Sequence, residues 1–231
     1  MEDIKEDRAF YASSAQRDVL LQLLTHPSVE SSFFLTGGTA LAVFYLHHRV
    51  SDDLDFFSVG RPSLSDIEFW IRTQWVDACS KVKEGPNFLS FLIRESKVEF
   101  VIDPLSNKEE RSASVFENGK RLIIDNVDNI VSNKFGAMVS RQEPKDFVDF
   151  YFLLKEFPSL KLEEIYQNAR LKDAIFDDSP TAAFQLEEGL ALMKENPGLL
   201  PAIRGAFNSE DFYSFHERIA EWIYLRTNKV S

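Results

Sequence analysis

The chain of 231 residues contains a single cysteine, Cys79. One cysteine cannot close a disulfide within the chain, which excludes the class of small disulfide-stabilised domains. Cys79 follows Ala78 in a pattern typical of a helix, and we expect its side chain to be a small buried hydrophobe rather than a nucleophile.

Positive charge and long apolar runs are also scarce. The chain has 26 Lys and Arg against 37 Asp and Glu, a net charge of −11, and no basic stripe. This excludes a protein that coats DNA or RNA, although a local basic patch could still receive an RNA end. No run of about 18 apolar residues exists, so no membrane span or membrane partner is expected. The charged start, MEDIKEDRAF, lacks the apolar segment of a signal peptide, which predicts a cytoplasmic protein.

Residues 1–125 mix helical and strand patterns. Apolar residues recur at helical spacing before residue 27, and again over 39–47. The residues Ser65–Glu68 form a capping box that predicts the start of another helix. The predicted strands cover 31–36, 54–57, 88–94, 97–102 and 121–124.

Beyond residue 127 the apolar period changes to three and four, which predicts helices only. They cover 129–140, 144–157, 162–169, 180–194 and 209–226. We therefore predict an α+β fold, in which residues 1–125 form a mixed β-sheet with flanking helices and residues 126–231 form a helical bundle.

The segment LTGGTALAVFYLHHRVSDDLDFF, residues 35–57, carries the strongest functional signal. Gly37 and Gly38 stand between a predicted strand and a predicted helix. Glycine permits a positive φ and a close approach of backbone N–H groups, and the start of a helix attracts anions, so this turn is a candidate phosphate site. Thr39 and Ser51 are candidate phosphate contacts through their hydroxyls. A simple tight turn is the alternative.

Asp53 and Asp55 are two residues apart on a predicted strand, so their side chains share one face. Adjacent carboxylates repel each other, and a fold tolerates them mainly when a cation lies between them. Mg²⁺ suits such a site, because it takes hard oxygens from one or two carboxylates together with substrate phosphates. Leu54 and Phe56 are expected to face the core, and Asp52 to be an exposed neighbour. The alternative is a solvated strand end with scattered acids.

Together, these features resemble the nucleotidyltransferase superfamily of the polymerase-β type. The whole segment is similar to the AbiEii/AbiGii toxin family of abortive-infection and toxin–antitoxin systems, and the resemblance extends to residues 134–153. It implies that residues 1–125 are the nucleotidyltransferase domain and that residues 126–231 close its cleft. It also implies a nucleoside triphosphate substrate and Mg²⁺ or Mn²⁺ held by Asp53 and Asp55.

The resemblance implies further site residues. A third metal-binding carboxylate comes from a later strand, where Glu99 is the first candidate and Asp103, on the same face of that strand, is the second. A lysine on the first helix of the second half and an aspartate on the next complete the active site, which selects Lys134 and Asp149.

The roles of two residues near Lys134 and Asp149 remain undecided at this point. Asp146 is close behind Asp149 for the aspartate role, and Arg141, seven residues from Lys134, shares its helix face and is a candidate nucleotide contact. We expect Lys134 to be an exposed lysine that points into the cleft of the paired aspartates. A cluster of interhelical ion pairs is the alternative.

The resemblance implies transfer of a nucleotide to an RNA end, with tRNA as the first candidate, and neutralisation by an antitoxin protein. A protein hydroxyl is the second possible acceptor. The main alternative is a non-catalytic nucleotide-binding or partner-binding module that keeps the fold. A helical transcriptional regulator is a third possibility, which the missing basic surface disfavours.

Overall fold

The computed structural model describes residues 3–106 and 110–226. The chain divides into two compact units, Met1–Asn126 and Val127–Ser231. Within the described ranges, no helix combines the length and the apolar character needed to cross a membrane.

The first unit is built on a mixed sheet. Its strands are β1 (Phe34–Thr36), β2 (Asp53–Ser58), β3 (Cys79–Gly85), β4 (Phe88–Ile93), β5 (Ser96–Ile102), β6 (Ser112–Val115) and β7 (Arg121–Ile124). In the described part of the chain they form one sheet in the order β3-β4-β5-β2-β1-β7-β6. The central strand β2 runs antiparallel to β1 and parallel to β5, and β1 runs parallel to β7.

One face of the sheet is packed with aromatic rings. Phe56 on β2 stacks on Phe100 of β5 at 5.3 Å between ring centroids, and Phe33 meets Phe100 edge-on at 5.2 Å. All three rings are almost completely buried. Burial of this size stabilises by about 1.5–3 kcal/mol per side chain and fixes the strand register, because a one-residue slip would expose the rings.

Short helices accompany the sheet. They are α1 (Ser14–Leu23), α2 (Pro27–Ser32), α3 (Gly37–Ala40), which continues as a π-helix over Leu41–Tyr45, and α4 (Leu64–Gln74). The cap of α4 is Ser63, whose hydroxyl accepts from the Asp66 N–H at 3.2 Å. The helix therefore starts before the predicted capping box.

The second unit is helical throughout its described part. The helices are α5 (Val127–Ser140), α6 (Pro144–Glu156), α7 (Leu162–Arg170), α8 (Ser179–Glu195) and α9 (Ser209–Tyr224). Short 3₁₀ turns cover Ala174–Asp177 and Pro197–Leu199. The predicted α+β fold class is confirmed, and the helix ends lie within about two residues of the predicted ones, the normal scatter of helix boundaries.

Three local predictions are wrong. The strand predicted from residue 31 begins at Phe34, because Pro27 starts a helix that runs to Ser32. Cys79 lies half-buried at the start of β3, not in a helix. That strand and β6 escaped prediction because both are sheet edges, where charged or small side chains replace an apolar pattern.

His216 on α9 is a titratable group that lies completely buried in the core of the second unit. Its Nδ1–H donates to the carbonyl oxygen of Phe212 at 2.9 Å. Its ring lies among the aromatic rings of Phe147, Phe150, Tyr151, Phe212 and Phe215. Burial disfavours the charged imidazolium and lowers the pKa of His216 from 6.5 to about 4.

This burial predicts a loss of stability in acid. The unfolded chain takes up a proton on His216 near pH 6.5, whereas the folded chain does so only near pH 4. The contribution of neutral His216 to the free energy of unfolding is therefore fully present above the pKa of His216 in the unfolded chain, and it is lost as the pH falls below that value. Between about pH 7.5 and about pH 5 the loss is about 2 kcal/mol. Urea unfolding at about pH 7.5 and at about pH 5 measures this loss in the free energy of unfolding. The loss between the two pH values should be about 2 kcal/mol smaller in the His216→Phe variant than in the wild type. If the wild type and His216→Phe lose equal stability between the two pH values, His216 takes up its proton equally well in the folded and unfolded chains, and the prediction is wrong.

Candidate active site

The glycine turn lies at the carboxyl end of β1, directly beside Asp55. The antiparallel register pairs Thr36 with Asp55, so the chain leaves β1 next to that carboxylate. Gly37 has a φ of 68°, a left-handed conformation that costs other residues about 1–2 kcal/mol. A Cβ at this position would also lie well within 3.0 Å of Asp55 Oδ2. Gly37 thus permits both the turn and the close approach to the carboxylate.

Gly38 packs against two side chains that precede β2. A Cβ here would lie 2.5 Å from Ser51 Oγ and 2.7 Å from Arg49 Nη2. Arg49 is 3% exposed, and its Nη1 donates to the carbonyl oxygen of Val50 at 2.9 Å. A buried guanidinium beside backbone N–H groups offers positive charge to a bound anion.

Arg49 is absent from the predicted site residues. It is the only Lys or Arg between Gly37 and Asp55 in the sequence. That position, between a glycine turn and an acidic strand, is the signal that identifies it. Arg49 therefore joins the turn as a candidate phosphate contact.

The hydroxyl of Thr39 is used inside the fold. It donates to the carbonyl oxygen of Asp53 and, at 3.4 Å, to that of Ser51, and Thr39 is completely buried. The side chain fastens the start of the helix to the chain that enters β2, which differs from the predicted phosphate contact. The Ser51 hydroxyl faces Gly38, which keeps it a candidate contact.

Asp53 and Asp55 lie on one face of β2, as predicted. Leu54 and Phe56 are completely buried on the opposite face, whereas the two aspartates are half-buried. The apolar residues hold the strand in register, so the carboxylates are presented on its other side. This alternation places two like charges next to each other on the polar face of the strand.

The neighbouring strand β5 adds two charges to this face. The parallel register pairs Asp53 with Lys97 and Asp55 with Glu99. Lys97 Nζ lies 2.7 Å from Glu99 Oε1. Partial burial opposes the charge of Lys97, but its hydrogen bond to Glu99 and the fields of the three carboxylates outweigh this and raise the pKa of Lys97. The four side chains therefore carry three negative charges and one positive charge.

Glu99 and Asp103 occupy different environments. Asp103 follows the end of β5 at Ile102, and its carboxylate accepts from the Leu105 N–H at 3.0 Å and the Ser106 hydroxyl at 2.7 Å. The expectation that Asp103 lies on the strand is therefore wrong, because it is held in the turn that follows. Across residues 3–106 and 110–226, no three His, Cys, Asp or Glu side chains are grouped so as to hold a metal ion.

A buried ion pair anchors the strand that carries the turn. Asp125, which follows β7, is completely buried and pairs with Arg111 Nε at 3.0 Å. It also accepts a hydrogen bond from Thr36 Oγ1 at 2.8 Å. Since Thr36 immediately precedes Gly37, these contacts fix the end of β1 and with it the position of the turn.

The helical unit contains a second charged cluster. Lys134 on α5 lies 2.7 Å from Asp146 Oδ1 and 2.7 Å from Asp149 Oδ2, both on α6. Arg141 Nη2 lies 3.1 Å from Asp146 Oδ2. The predicted groupings on each helix are therefore present, and both aspartates contact the lysine at the same distance.

Burial changes the expected energetics of this cluster. Asp146 and Asp149 are completely buried and Lys134 is 7% exposed. The expectation of an exposed lysine is wrong, because its ammonium is enclosed between the two helices with both carboxylates. Removing one member of a buried ion pair leaves uncompensated charge in a medium of low dielectric, which is strongly destabilising.

The sequence of this chain matches a known protein family. Residues 18–211 match the model of a family described as nucleotidyl transferase AbiEii toxin, Type IV TA system. The chain belongs to the AbiEii family. The resemblance predicted from the sequence is confirmed, and with it the class of enzyme, a nucleotidyltransferase. The matched range includes the glycine turn, the Asp53–Asp55 strand and the Lys134 cluster.

Individual proteins are similar to this chain in sequence or in fold. An uncharacterized protein of Aquifex aeolicus strain VF5 is 32% identical over 147 residues, which are 61% of this chain and 66%, just under two thirds, of that protein. The crystal structure of JHP933 from Helicobacter pylori aligns with a TM-score of 0.53 at 17% identity, covering 94% of this chain and 95% of that one. A further H. pylori structure gives 0.52 at 17% identity, covering 94% and 97%.

Because the Gly37 backbone lies so close to Asp55, we expect a methyl group added at Gly37 to weaken nucleotide binding. Gly37→Ala combines the strain of a positive φ with a clash against Asp55, whereas Gly119→Ala has a φ of 77° and open space around the new Cβ. Gly119→Ala should lose about 1–2 kcal/mol in urea unfolding from the strained φ alone, and Gly37→Ala should lose more because of the clash. Only Gly37→Ala should also weaken Mg²⁺-dependent binding of a nucleoside triphosphate, by at least about tenfold. Equal binding by the two variants would contradict this role of the turn.

The burial of Lys134 predicts a large loss of stability on its removal. Lys134→Met should destabilise the protein by about 3–5 kcal/mol, because two buried carboxylates lose their common partner. Adding Asp146→Asn and Asp149→Asn should recover much of that loss. Urea unfolding measures both effects.

The matched control for this experiment is Lys161→Met. Lys161 pairs with Glu164 on the surface, where both side chains are mostly exposed, and this variant should unfold as the wild type does. If Lys134→Met unfolds at the same urea concentration as Lys161→Met, the buried ion pairs of Lys134 do not contribute about 3–5 kcal/mol to the free energy of unfolding.

Proposed function

We propose that this AbiEii-family chain transfers a nucleotidyl group from a nucleoside triphosphate to an acceptor, with Mg²⁺ or Mn²⁺, and acts as the toxin of a toxin–antitoxin or abortive-infection system. The proposal depends on one observation above all. A Cβ built on Gly37 would lie well within 3.0 Å of Asp55 Oδ2, closer than two non-bonded atoms approach, so the backbone of the turn lies directly against that carboxylate. A phosphate-binding turn and a metal-binding carboxylate are thereby brought together.

The residues of this face fit a hard divalent cation. Asp53 and Asp55 provide carboxylate oxygens on one side of β2, and Mg²⁺ is commonly held by one or two carboxylates together with substrate phosphates. We assign Asp53 and Asp55 as metal ligands and Glu99 as the candidate third carboxylate. A bound cation supplies charge neutralisation at the phosphates.

The turn and its neighbours are assigned to the triphosphate. The N–H groups of Gly37 and Gly38 begin a helix and are suited to phosphate oxygens. The guanidinium of Arg49 and the hydroxyl of Ser51 lie beside Gly38, so they are the side chains of this unit best placed to join them. Thr39 is a positioning residue, since its hydroxyl links the helix to Asp53.

We assign Lys134 to the negative charge that builds up on the leaving pyrophosphate. Asp146 and Asp149 hold its ammonium between α5 and α6, so they act as positioning residues. Arg141 contacts Asp146 and is half-exposed, and we assign it as a further nucleotide contact. The triphosphate is itself negatively charged, so the proposed transfer needs compensating positive charge.

The proposed step is an in-line displacement at the α-phosphorus. An acceptor hydroxyl oxygen attacks that phosphorus, the bond to the bridging oxygen breaks, and pyrophosphate leaves with its electron pair. The hydroxyl proton is released to solvent. Positioning and charge neutralisation provide most of the acceleration in phosphoryl chemistry, and they are the roles that the Gly37 turn and the Asp53–Asp55 strand are suited to fill.

The proposed acceptor is an RNA end, with tRNA as the first candidate. A net charge of −11 disfavours a long phosphate footprint, since binding along a nucleic-acid backbone is driven by cationic side chains. Recognition of a short terminal segment is compatible with that charge. The family assignment also supports a cognate antitoxin protein as a partner.

Loss of either aspartate should abolish transfer. Purified protein is incubated with Mg²⁺, total RNA and each nucleoside triphosphate labelled at the α-phosphate, and the labelled RNA is resolved on a gel. Asp53→Asn and Asp55→Asn should each reduce labelling by at least about 100-fold, because a metal-binding site contributes several kcal/mol. Both variants should remain folded, since their mutual repulsion is relieved.

Asp52→Asn is the matched control, because Asp52 is exposed and precedes the strand. It removes the same charge from the adjacent position and should leave labelling near the wild-type level. Undiminished labelling by both Asp53→Asn and Asp55→Asn would refute the two-carboxylate mechanism. Nucleotide binding without labelling of RNA or protein would favour a non-catalytic binding module instead.

A further inference from the structure

Lys97 stands among the carboxylates that we assign to the metal. It is the register partner of Asp53 on β2, and Glu99 is the register partner of Asp55. Val98, which lies between them, is completely buried on the opposite face of the sheet. The side chains of Lys97 and Glu99 therefore share the face of the two aspartates.

The ammonium of Lys97 engages the carboxylate that would complete the metal site. Lys97 Nζ lies 2.7 Å from Glu99 Oε1, and the hydroxyl of Ser90 donates to the same oxygen at 3.3 Å. The Glu99 side chain is 21% exposed. Its carboxylate is thus held by two donors on its own sheet. In the described parts of the chain, Asp53, Asp55 and Glu99 do not form a metal-binding group.

We propose that the Lys97–Glu99 ion pair restrains metal binding by withholding Glu99 from the Asp53–Asp55 site. While the contact between Lys97 and Glu99 holds, a divalent cation is bound by the two aspartates alone. When the contact breaks, or when Lys97 is replaced, Glu99 is released and supplies a third carboxylate. The proposal rests on the proposed function in one respect, the assignment of Asp53 and Asp55 as metal ligands.

Two physical effects act in the same direction. A lysine close to the metal site repels a divalent cation, and this repulsion falls away when the ammonium is removed. The released carboxylate then adds one negative ligand, and ligand charge is a principal determinant of affinity for hard cations. Only the second effect requires Glu99, so the two effects are separable by experiment.

The test measures Mn²⁺ binding to the full chain without nucleotide, by the electron paramagnetic resonance signal of free Mn²⁺. Lys97→Met should bind Mn²⁺ at least about tenfold more tightly than the wild type. Lys97→Arg keeps the ammonium's charge and the contact with Glu99, and should bind as the wild type does. Lys83→Met removes a lysine from the edge strand β3, where it lies over the Phe88 ring, and should also leave affinity unchanged.

A double-mutant cycle assigns the gain to Glu99. In the Glu99→Gln background, Lys97→Met should improve Mn²⁺ affinity by no more than about threefold, because no carboxylate is left to release. An equal gain in both backgrounds would show that Lys97 acts through repulsion alone and would overturn the withholding of Glu99. No gain in either background would overturn the proposal completely.

A further variant separates this proposal from the proposed function. Asp53→Asn combined with Asp55→Asn should eliminate Mn²⁺ binding. If binding survives that change, the assigned metal site itself is wrong. If binding is lost but Lys97→Met has wild-type affinity, the metal site stands and only the role of Lys97 fails. Thermal unfolding of each variant confirms that it is folded, since Lys97 is 42% exposed and is not part of the core.

Discussion

The close approach of the Gly37 backbone to the Asp55 carboxylate is the constraint on which the candidate site depends. It requires a residue without a Cβ, in a left-handed conformation, at the end of a strand that is in register with β2. Each requirement is met by a different part of the fold. The register is fixed by buried side chains such as Phe56, and the end of β1 is fixed by the hydrogen bond from Thr36 to Asp125. The turn is therefore the product of the sheet around it.

Charge is managed differently in the two units. On the sheet, Asp53, Asp55 and Glu99 share one half-buried face with Lys97, where water still screens like charges. In the helical unit, Lys134 is enclosed with Asp146 and Asp149, both completely buried. Such a cluster persists only if its members stay together, because a single unpaired charge there is costly. The first arrangement leaves its carboxylates partly exposed, whereas the second encloses both of its aspartates.

The residues that could be predicted from the sequence are those whose pattern has a local cause. The alternation of Asp53 and Asp55 with Leu54 and Phe56 identifies both the strand and its polar face, and helical periodicity identifies α5 to α9. Gly37 and Gly38 are recognisable as a candidate phosphate site only together with the acidic strand that follows, because a glycine pair before a helix also fits a simple tight turn. A family resemblance then joined these signals to one class of enzyme.

The missed features depend on contacts between distant segments. The exposure of Lys134 is set by how α5 packs on α6, which periodicity does not determine. The sequence allows the hydroxyl of Thr39 to face either a ligand or a carbonyl group. It donates to the carbonyl oxygen of Asp53 because the chain that enters β2 passes beside it. Strand β3 lacks an apolar pattern because it is a sheet edge. Arg49 is near Gly38 because the chain returns past the turn before β2 begins.

In the proposed complex, the Gly37 turn and the Asp53–Asp55 strand together hold a metal-bound triphosphate. The most direct measurement is a crystal structure with Mn²⁺ and a triphosphate analogue that cannot be cleaved, in which anomalous scattering locates the metal. We expect Mn²⁺ bonded to carboxylate oxygens of Asp53 and Asp55, with phosphate oxygens on the N–H groups of Gly37 and Gly38. A metal and triphosphate bound elsewhere, with both aspartates uncoordinated, would contradict it.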